Sequence, residues 1–296
     1  MQKYAVIGYP LTHSLSPQIH NFAFDKLKID AVYEKIEILP NEFDNKFTQL
    51  KKAGYSGFNV TIPHKRSVMS FLGKIDTDAA MIGAVNTIIK EENRWLGYNT
   101  DVRGFLLPLN ELKERFQHCL VLGTGGAARA VIFALAKYRN PLSITVAGRN
   151  LEKAAGLKQE FKRNFNHVDI RHRIFNNLDS ILNKFSLVIN TTPLGTFPDV
   201  DQTPISNLAH LQNNAIVYDL VYNPQKTRFL KDAQKAGSNI KTINGMDMLI
   251  QQAAQAFKLW TNHEMPINEV RNYLLNILKP PPPHLANPSP ASAQKP

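Results

Sequence analysis

The chain has 296 residues, 43% hydrophobic and 20% charged, which fits a folded protein of one large domain or two ordinary ones. A single cysteine, Cys119, excludes an internal disulfide framework; nine scattered histidines show no metal-binding spacing, and no run reaches the roughly 18 apolar residues of a transmembrane helix. The formal charge of +11 favours anionic partners, but the basic residues are dispersed and their densest cluster, between Lys162 and Arg173, lacks stacking aromatics, so small acidic ligands are expected rather than nucleic acid.

The opening MQKYAVIGYP has too short an apolar core for a signal peptide, and a cytoplasmic location is expected. Residues 3–8, KYAVIG, read as a buried strand ending at Gly8. A helix is expected from Ser16-Pro17, with serine as its cap and proline in its first turn. A strand over 32–38, an amphipathic helix over 41–53 and a short strand over 57–60 follow, and strands near 84–90 and 93–98 form a hairpin about Glu91-Glu92-Asn93. The next stretch, GYNTDVRGF (97–105), puts three short polar side chains where a strand ends and a helix begins; helix capping is the ordinary reading.

Beyond 102 the alternation is regular, with strands near 118–122, 142–147, 186–190, 215–219 and 239–242 and helical segments between most of them, as in a parallel sheet with crossover helices. Two further helices are expected from Gly245 to Trp260 and over 266–278. The remainder, 279–296, is rich in Pro, Ala and Ser and is expected to be a disordered tail.

Residues 118–130, HCLVLGTGGAARA, join an apolar strand to a helix through the G-x-G-x-x-A loop of a dinucleotide site. Gly123 permits the tight turn, Gly125 admits a pyrophosphate, Ala128 keeps helix and sheet close, and the free N–H groups at the helix start, around Gly126 and Ala127, face the phosphates. An NAD site carries an acid at the end of the next strand; here Gly148-Arg149-Asn150 stands in its place. Arg149, with Lys153 one turn on, suits the additional phosphate of NADP, which a carboxylate would repel.

Four polar clusters occupy the first hundred residues: Ser14-Leu-Ser16, Asn59-Val-Thr61 leading to Lys65, Ala84-Val-Asn86-Thr87, and Asn99-Thr100-Asp101. Together with the glycine loop, Asn190-Thr-Thr-Pro-Leu-Gly195 and Gly245-Met-Asp-Met248-Leu-Ile-Gln-Gln252, they resemble shikimate dehydrogenases over about residues 3–278. The resemblance implies reversible NADPH-dependent reduction of 3-dehydroshikimate to shikimate, on the route to aromatic amino acids. It implies an α/β fold of two domains with the active site in the cleft between them. On this resemblance an N-terminal α/β substrate domain is expected over 1–101, completed by helices over 246–278, and a Rossmann-like NADP domain with a parallel sheet over 102–245.

By the same resemblance, Ser14 and Ser16 hold the substrate carboxylate, and Asn59, Thr61, Asn86, Asp101 and Gln252 bind its ring hydroxyls. Lys65 and Asp101 form the catalytic pair, Tyr222 stands near the substrate, and Thr191, Gly245 and Met248 belong to the cofactor site. One departure is that the family often reads Asn-Arg-Thr at Gly148-Arg149-Asn150, so adenosine contacts from the first side chain are lost. The chemistry agrees: a ketone reduced by hydride needs a proton on oxygen, which a protonated lysine supplies while it stabilises the alkoxide. A quinate/shikimate dehydrogenase of the same fold and a non-catalytic NADP(H) sensor are the alternatives. The assembly is expected to be a monomer or homodimer.

Overall fold

The computed structural model describes residues 1–112, 114–176 and 178–279. The expected tail lies outside them, apart from Lys279. The first half of the chain runs β1 (Gln2–Gly8), α1 (Ser16–Leu27), β2 (Ala31–Glu37), α2 (Phe43–Leu50), β3 (Gly57–Val60), β4 (Lys74–Ile75), α3 (Thr77–Ile82), β5 (Thr87–Glu91) and β6 (Arg94–Tyr98). These strands form one sheet, ordered β2-β1-β3-β5-β6-β4. β1 is parallel to β2 and β3, whereas β5 runs antiparallel to both β3 and β6.

β1 is a continuous apolar run because both faces of its sheet are covered. Ala5 and Ile7 meet Phe43 and Phe47 of α2 on one side, while Tyr4 and Val6 face Ile19, Ala23 and Phe24 of α1 on the other.

The second half runs α4 (Asp101–Asn110), β7 (His118–Leu122), α5 (Gly126–Ala134), β8 (Ser143–Gly148), α6 (Leu151–Asn164), β9 (Asp169–Ile174), β10 (Leu187–Asn190), β11 (Ile216–Asp219), α7 (Arg228–Ala236) and β12 (Lys241–Asn244). Its sheet, ordered β12-β11-β10-β7-β8-β9, is parallel throughout. The order reverses between β7 and β10, the crevice where open parallel sheets bind ligands. Cys119 and Val121 pack towards α5 and Leu120 and Leu122 towards α7, so the lone cysteine is a buried apolar filler.

The last two helices, α8 (Met246–Thr261) and α9 (Ile267–Ile277), return to the first sheet, where Ile250, Phe257 and Leu274 join Tyr4 and Phe24. α8 also lies so close to α4 that a Cβ on Gly104 would sit 2.7 Å from the carbonyl oxygen of Met248.

Local differences from the sequence reading have physical causes. Ser16 is the first residue of α1 rather than its cap; Leu15 holds the cap position, and the Ser16 N–H donates to Ser14 Oγ at 3.4 Å. α2 is shorter than expected, entered through a 3-10 turn over Pro40–Glu42. α3 and β4 had no counterpart in the sequence reading, being too short to set up a period. β9 holds the basic cluster's Arg171, His172 and Arg173 on a sheet edge, where exposed cations deter pairing with another chain.

Candidate active site

The loops after β1 and β3 leave the first sheet at the same end of its strands, where β5 also begins and β6 ends. This convergence gathers the four polar clusters. Thr61 N–H donates to Ile7 O, and Val85 N–H donates to Lys65 O at 2.8 Å, so the lysine backbone is tied to the strand that leads to Asn86. Its neighbour His64 is buried, stacks on Phe43 at 4.3 Å and bonds Ile38 O at 2.7 Å. Burial pushes the pKa of His64 down despite the bond to Ile38 O, so it serves as a neutral anchor.

Lys65 Nζ donates to Asp101 Oδ2 at 2.6 Å, with both side chains largely buried. The other carboxylate oxygen, Oδ1, accepts from Asn86 Nδ2 at 2.8 Å. Asn86 also donates to Thr100 Oγ1 and accepts from Thr100 N–H at 2.8 Å, and Thr87 Oγ1 donates to its oxygen. Asp101 opens α4, where the helix dipole favours a negative charge. Thr100 occupies the cap position without a side-chain capping bond; its hydroxyl turns to Asn86. The Asp101 N–H is met instead by Asn99 Oδ1 at 3.1 Å.

Asn59 donates to Asn86 O and Thr87 Oγ1 and accepts from the Tyr33 hydroxyl at 2.6 Å. Neither Tyr33 nor Thr87 is given a role by the sequence. Thr87 stands inside the quoted Ala84-Val-Asn86-Thr87 motif, whereas Tyr33 sits mid-strand with no local signal of its contact.

These groups line a cleft of about 410 Å³ between the two sheets. Ser14, Ser16, Asn59, Thr61, Lys65 and Asn86 reach it from the strands and loops of the first sheet, Asp101 from the start of α4 and Gln252 from α8. Ala127, Thr191, Tyr222, Gly245 and Met248 complete its wall. Ser14 Oγ donates to Ser16 Oγ at 3.3 Å, and the Tyr222 hydroxyl donates to His13 O at 3.2 Å, bridging the two halves. Burial raises the Tyr222 pKa, keeping it a neutral donor.

Gly123, Gly125, Gly126, Arg149 and Lys153 are not among the lining residues. Gly126 nevertheless abuts the cleft, since a Cβ there would lie 2.9 Å from Lys65 Cδ. Gly123 has φ +121°, and a Cβ would fall 2.3 Å from Thr191 Oγ1, so only glycine fits. Gly125 opens α5 with no side-chain cap and no acid in the first turn, and a Cβ there would meet open space. That geometry fits the pyrophosphate of a dinucleotide. Arg149 is exposed at the end of β8; Asn150 beside it caps α6 by accepting from Lys153 N–H.

A second network braces the cofactor side. Asp219 is fully buried and accepts from Asn190 Nδ2, Val221 N–H and the Thr227 hydroxyl. Burial pushes its pKa up to about 6 against the pull of those three donors. It was not anticipated from sequence, because its side-chain partners, Asn190 and Thr227, come from a neighbouring strand and from the cap of α7.

Residues 6–88 match the shikimate dehydrogenase substrate binding domain, and residues 245–275 the shikimate 5'-dehydrogenase C-terminal domain. Residues 119–244 match the saccharopine dehydrogenase NADP binding domain. A shikimate dehydrogenase (NADP(+)) of Caldanaerobacter subterraneus is 44% identical, over 87% of this chain and 91% of its own. The chain belongs to the shikimate dehydrogenase family. Another member, the shikimate dehydrogenase (NADP(+)) of Methanocaldococcus jannaschii, is 42% identical over 92% of this chain and 95% of its own. A crystal structure of a shikimate dehydrogenase in complex with NADP+ superposes with a TM-score of 0.85 at 39% identity, covering 95% of this chain and 96% of that one. The Thermus thermophilus shikimate 5-dehydrogenase, solved with NADP(H) and shikimate, gives 0.81 at 32% identity, covering 94% and 100%. The two-domain α/β architecture expected from sequence is therefore that of the shikimate dehydrogenases, and the Lys65–Asp101 pair lies in the cleft between its sheets.

Proposed function

We propose that this chain is an NADP-dependent shikimate dehydrogenase that reduces 3-dehydroshikimate to shikimate and runs in reverse. The observation that carries the reading is the 2.6 Å ion pair between Lys65, in the loop after β3, and Asp101, at the start of α4, with Lys65 packed against Gly126 of the dinucleotide loop. The substrate domain in this reading is residues 1–101 with 246–278, and the cofactor domain is 102–245.

NADPH, when bound, supplies the hydride. Gly123, Gly125, Gly126 and Ala127 would hold its pyrophosphate, Arg149 and Lys153 its additional phosphate, and Thr191, Gly245 and Met248 its nicotinamide end. Ser14 and Ser16 present paired hydroxyls to the substrate carboxylate, while Asn59, Thr61, Asn86, Tyr222 and Gln252 supply polar contacts around its ring. Lys65 Nζ holds the proton that passes to the carbonyl oxygen and offsets the negative charge growing there. Asp101 aims that ammonium group and accepts from a substrate hydroxyl. In the oxidative direction the lysine must first release a proton, and it takes one back from the substrate hydroxyl.

A spectrophotometric assay of the purified protein, offering shikimate and quinate each with NADP+ and NAD+, tests the reading. Shikimate with NADP+ is the expected pair. Quinate turnover at a comparable rate would make it a quinate/shikimate dehydrogenase. Tight NADPH binding without turnover of either acid would make it a sensor and would refute the role of Lys65.

A further inference from the structure

α3 lies along α5 and is pinned to it at both ends. At the outer end Asp78 takes Lys137 Nζ at 2.6 Å and the Tyr138 hydroxyl at 3.0 Å, both from the π-helical turn Leu135–Arg139. This pin is partly exposed, where a salt bridge contributes little. At the inner end stands Arg129, in the first turn of α5 and only 5% exposed. Its Nε donates to Ile82 O at 2.6 Å, one of the free carbonyls that end α3. Its guanidinium pairs with Glu160, lies over the Phe161 ring at 5.6 Å and passes so near Gly83 that a Cβ there would be 2.5 Å from Nη2. Gly83 has φ +67°, so that residue suits both the turn and the close approach.

Burying a guanidinium is costly unless its partners are well placed, and these partners hold it against one point of the main chain. Beyond that point lie Val85, whose N–H holds Lys65 O, and Asn86, whose amide holds Asp101. At the other end of the same helical turn, Gly126 touches Lys65. We propose that Arg129 is a positioning residue for the reaction: it sets the distance between the helix that receives the cofactor phosphates and the segment that aims Lys65 and Asp101. The inference rests on the dehydrogenase reading. Arg129 is turned away from the cleft, so it acts through geometry and not by touching a ligand.

Arg129→Lys and Arg129→Met test this, with Asp78→Asn as the control that loosens only the outer pin. In the arginine variants kcat should fall about tenfold or more, the scale of a small misplacement of reacting groups, while the NADPH dissociation constant by fluorescence titration stays within about threefold. The Val85 amide should exchange faster with solvent, and the primary isotope effect with deuterated NADPH should rise. Asp78→Asn should keep wild-type kcat even where its Tm falls as far as that of Arg129→Lys. The inference is overturned if folded Arg129→Lys keeps wild-type kcat, or if NADPH affinity falls with kcat intact. An equal loss of kcat in Asp78→Asn, or failure of both arginine variants to fold, assigns Arg129 to stability alone and overturns it too. An inactive wild type removes the dehydrogenase reading together with this one; an active wild type with unimpaired variants removes this one only.

Discussion

Lys65 and Asp101 are 36 positions apart in the chain and 2.6 Å apart in space, and the proposed chemistry depends on that meeting. Lys65→Ala should leave NADPH affinity nearly unchanged while turnover falls by about two decades or more, the usual scale for a general acid/base. Near-normal turnover in stopped-flow assays would remove Lys65 from the role. Arg149→Asp should raise the NADPH Michaelis constant and narrow the gap to NADH, because a carboxylate repels the additional phosphate. An unchanged preference ratio would refute the assignment of Arg149. Asp219 titrates at about 6 when folded against an ordinary 3.8, so its ionisation costs stability. Its contribution is most favourable below about 3.8 and is lost as the pH rises through about 6. Asp219→Asn should flatten that limb of the curve of stability against pH, measured by urea denaturation.

At the scale of elements, legibility follows the range of the interactions. β7, its glycine loop and α5 were readable because the apolar run, the glycine spacing and the helix start are all local. The capping roles expected of Ser16 and Thr100 failed for the opposite reason. A hydroxyl near a helix start makes a cap unless another element offers a better partner, and here Asn86 captures Thr100. The close seam between α4 and α8 was equally unreadable, since Gly104 looks like an ordinary helical glycine until Met248 O appears opposite it. Gly104→Ala should push the two helices apart and cost about 1–3 kcal/mol, the range for overpacking. Because α4 carries Asp101 and α8 carries Gln252, the shikimate Michaelis constant should rise with it. A variant with wild-type Tm and kinetics would show that the seam yields freely.

For the molecule as a whole, two sheets turn their strand ends towards one cleft, and the chain crosses back so that α8 and α9 cover the first sheet. A ligand that binds only the folded state stabilises it by mass action. NADP+ at about a hundred times its dissociation constant should add about 3 kcal/mol and raise the Tm in a thermal-shift experiment. NAD+ at the same concentration should raise it less, because it lacks the phosphate that Arg149 and Lys153 would meet. Equal shifts would place the discrimination elsewhere.

Sequence alone determined the alternating α/β pattern, the dinucleotide loop, the missing acid after β8 and the family whose motifs recur in order, because each is written in residues adjacent or nearly adjacent along the chain. Only the tertiary structure decided that Asn86 holds Asp101, that Tyr33 holds Asn59, that Asp219 joins Asn190 to Thr227 and that Arg129 reaches Ile82. A hydrogen bond is specified by the position and direction of both partners. When those partners lie on different elements, that information does not exist until the chain has packed.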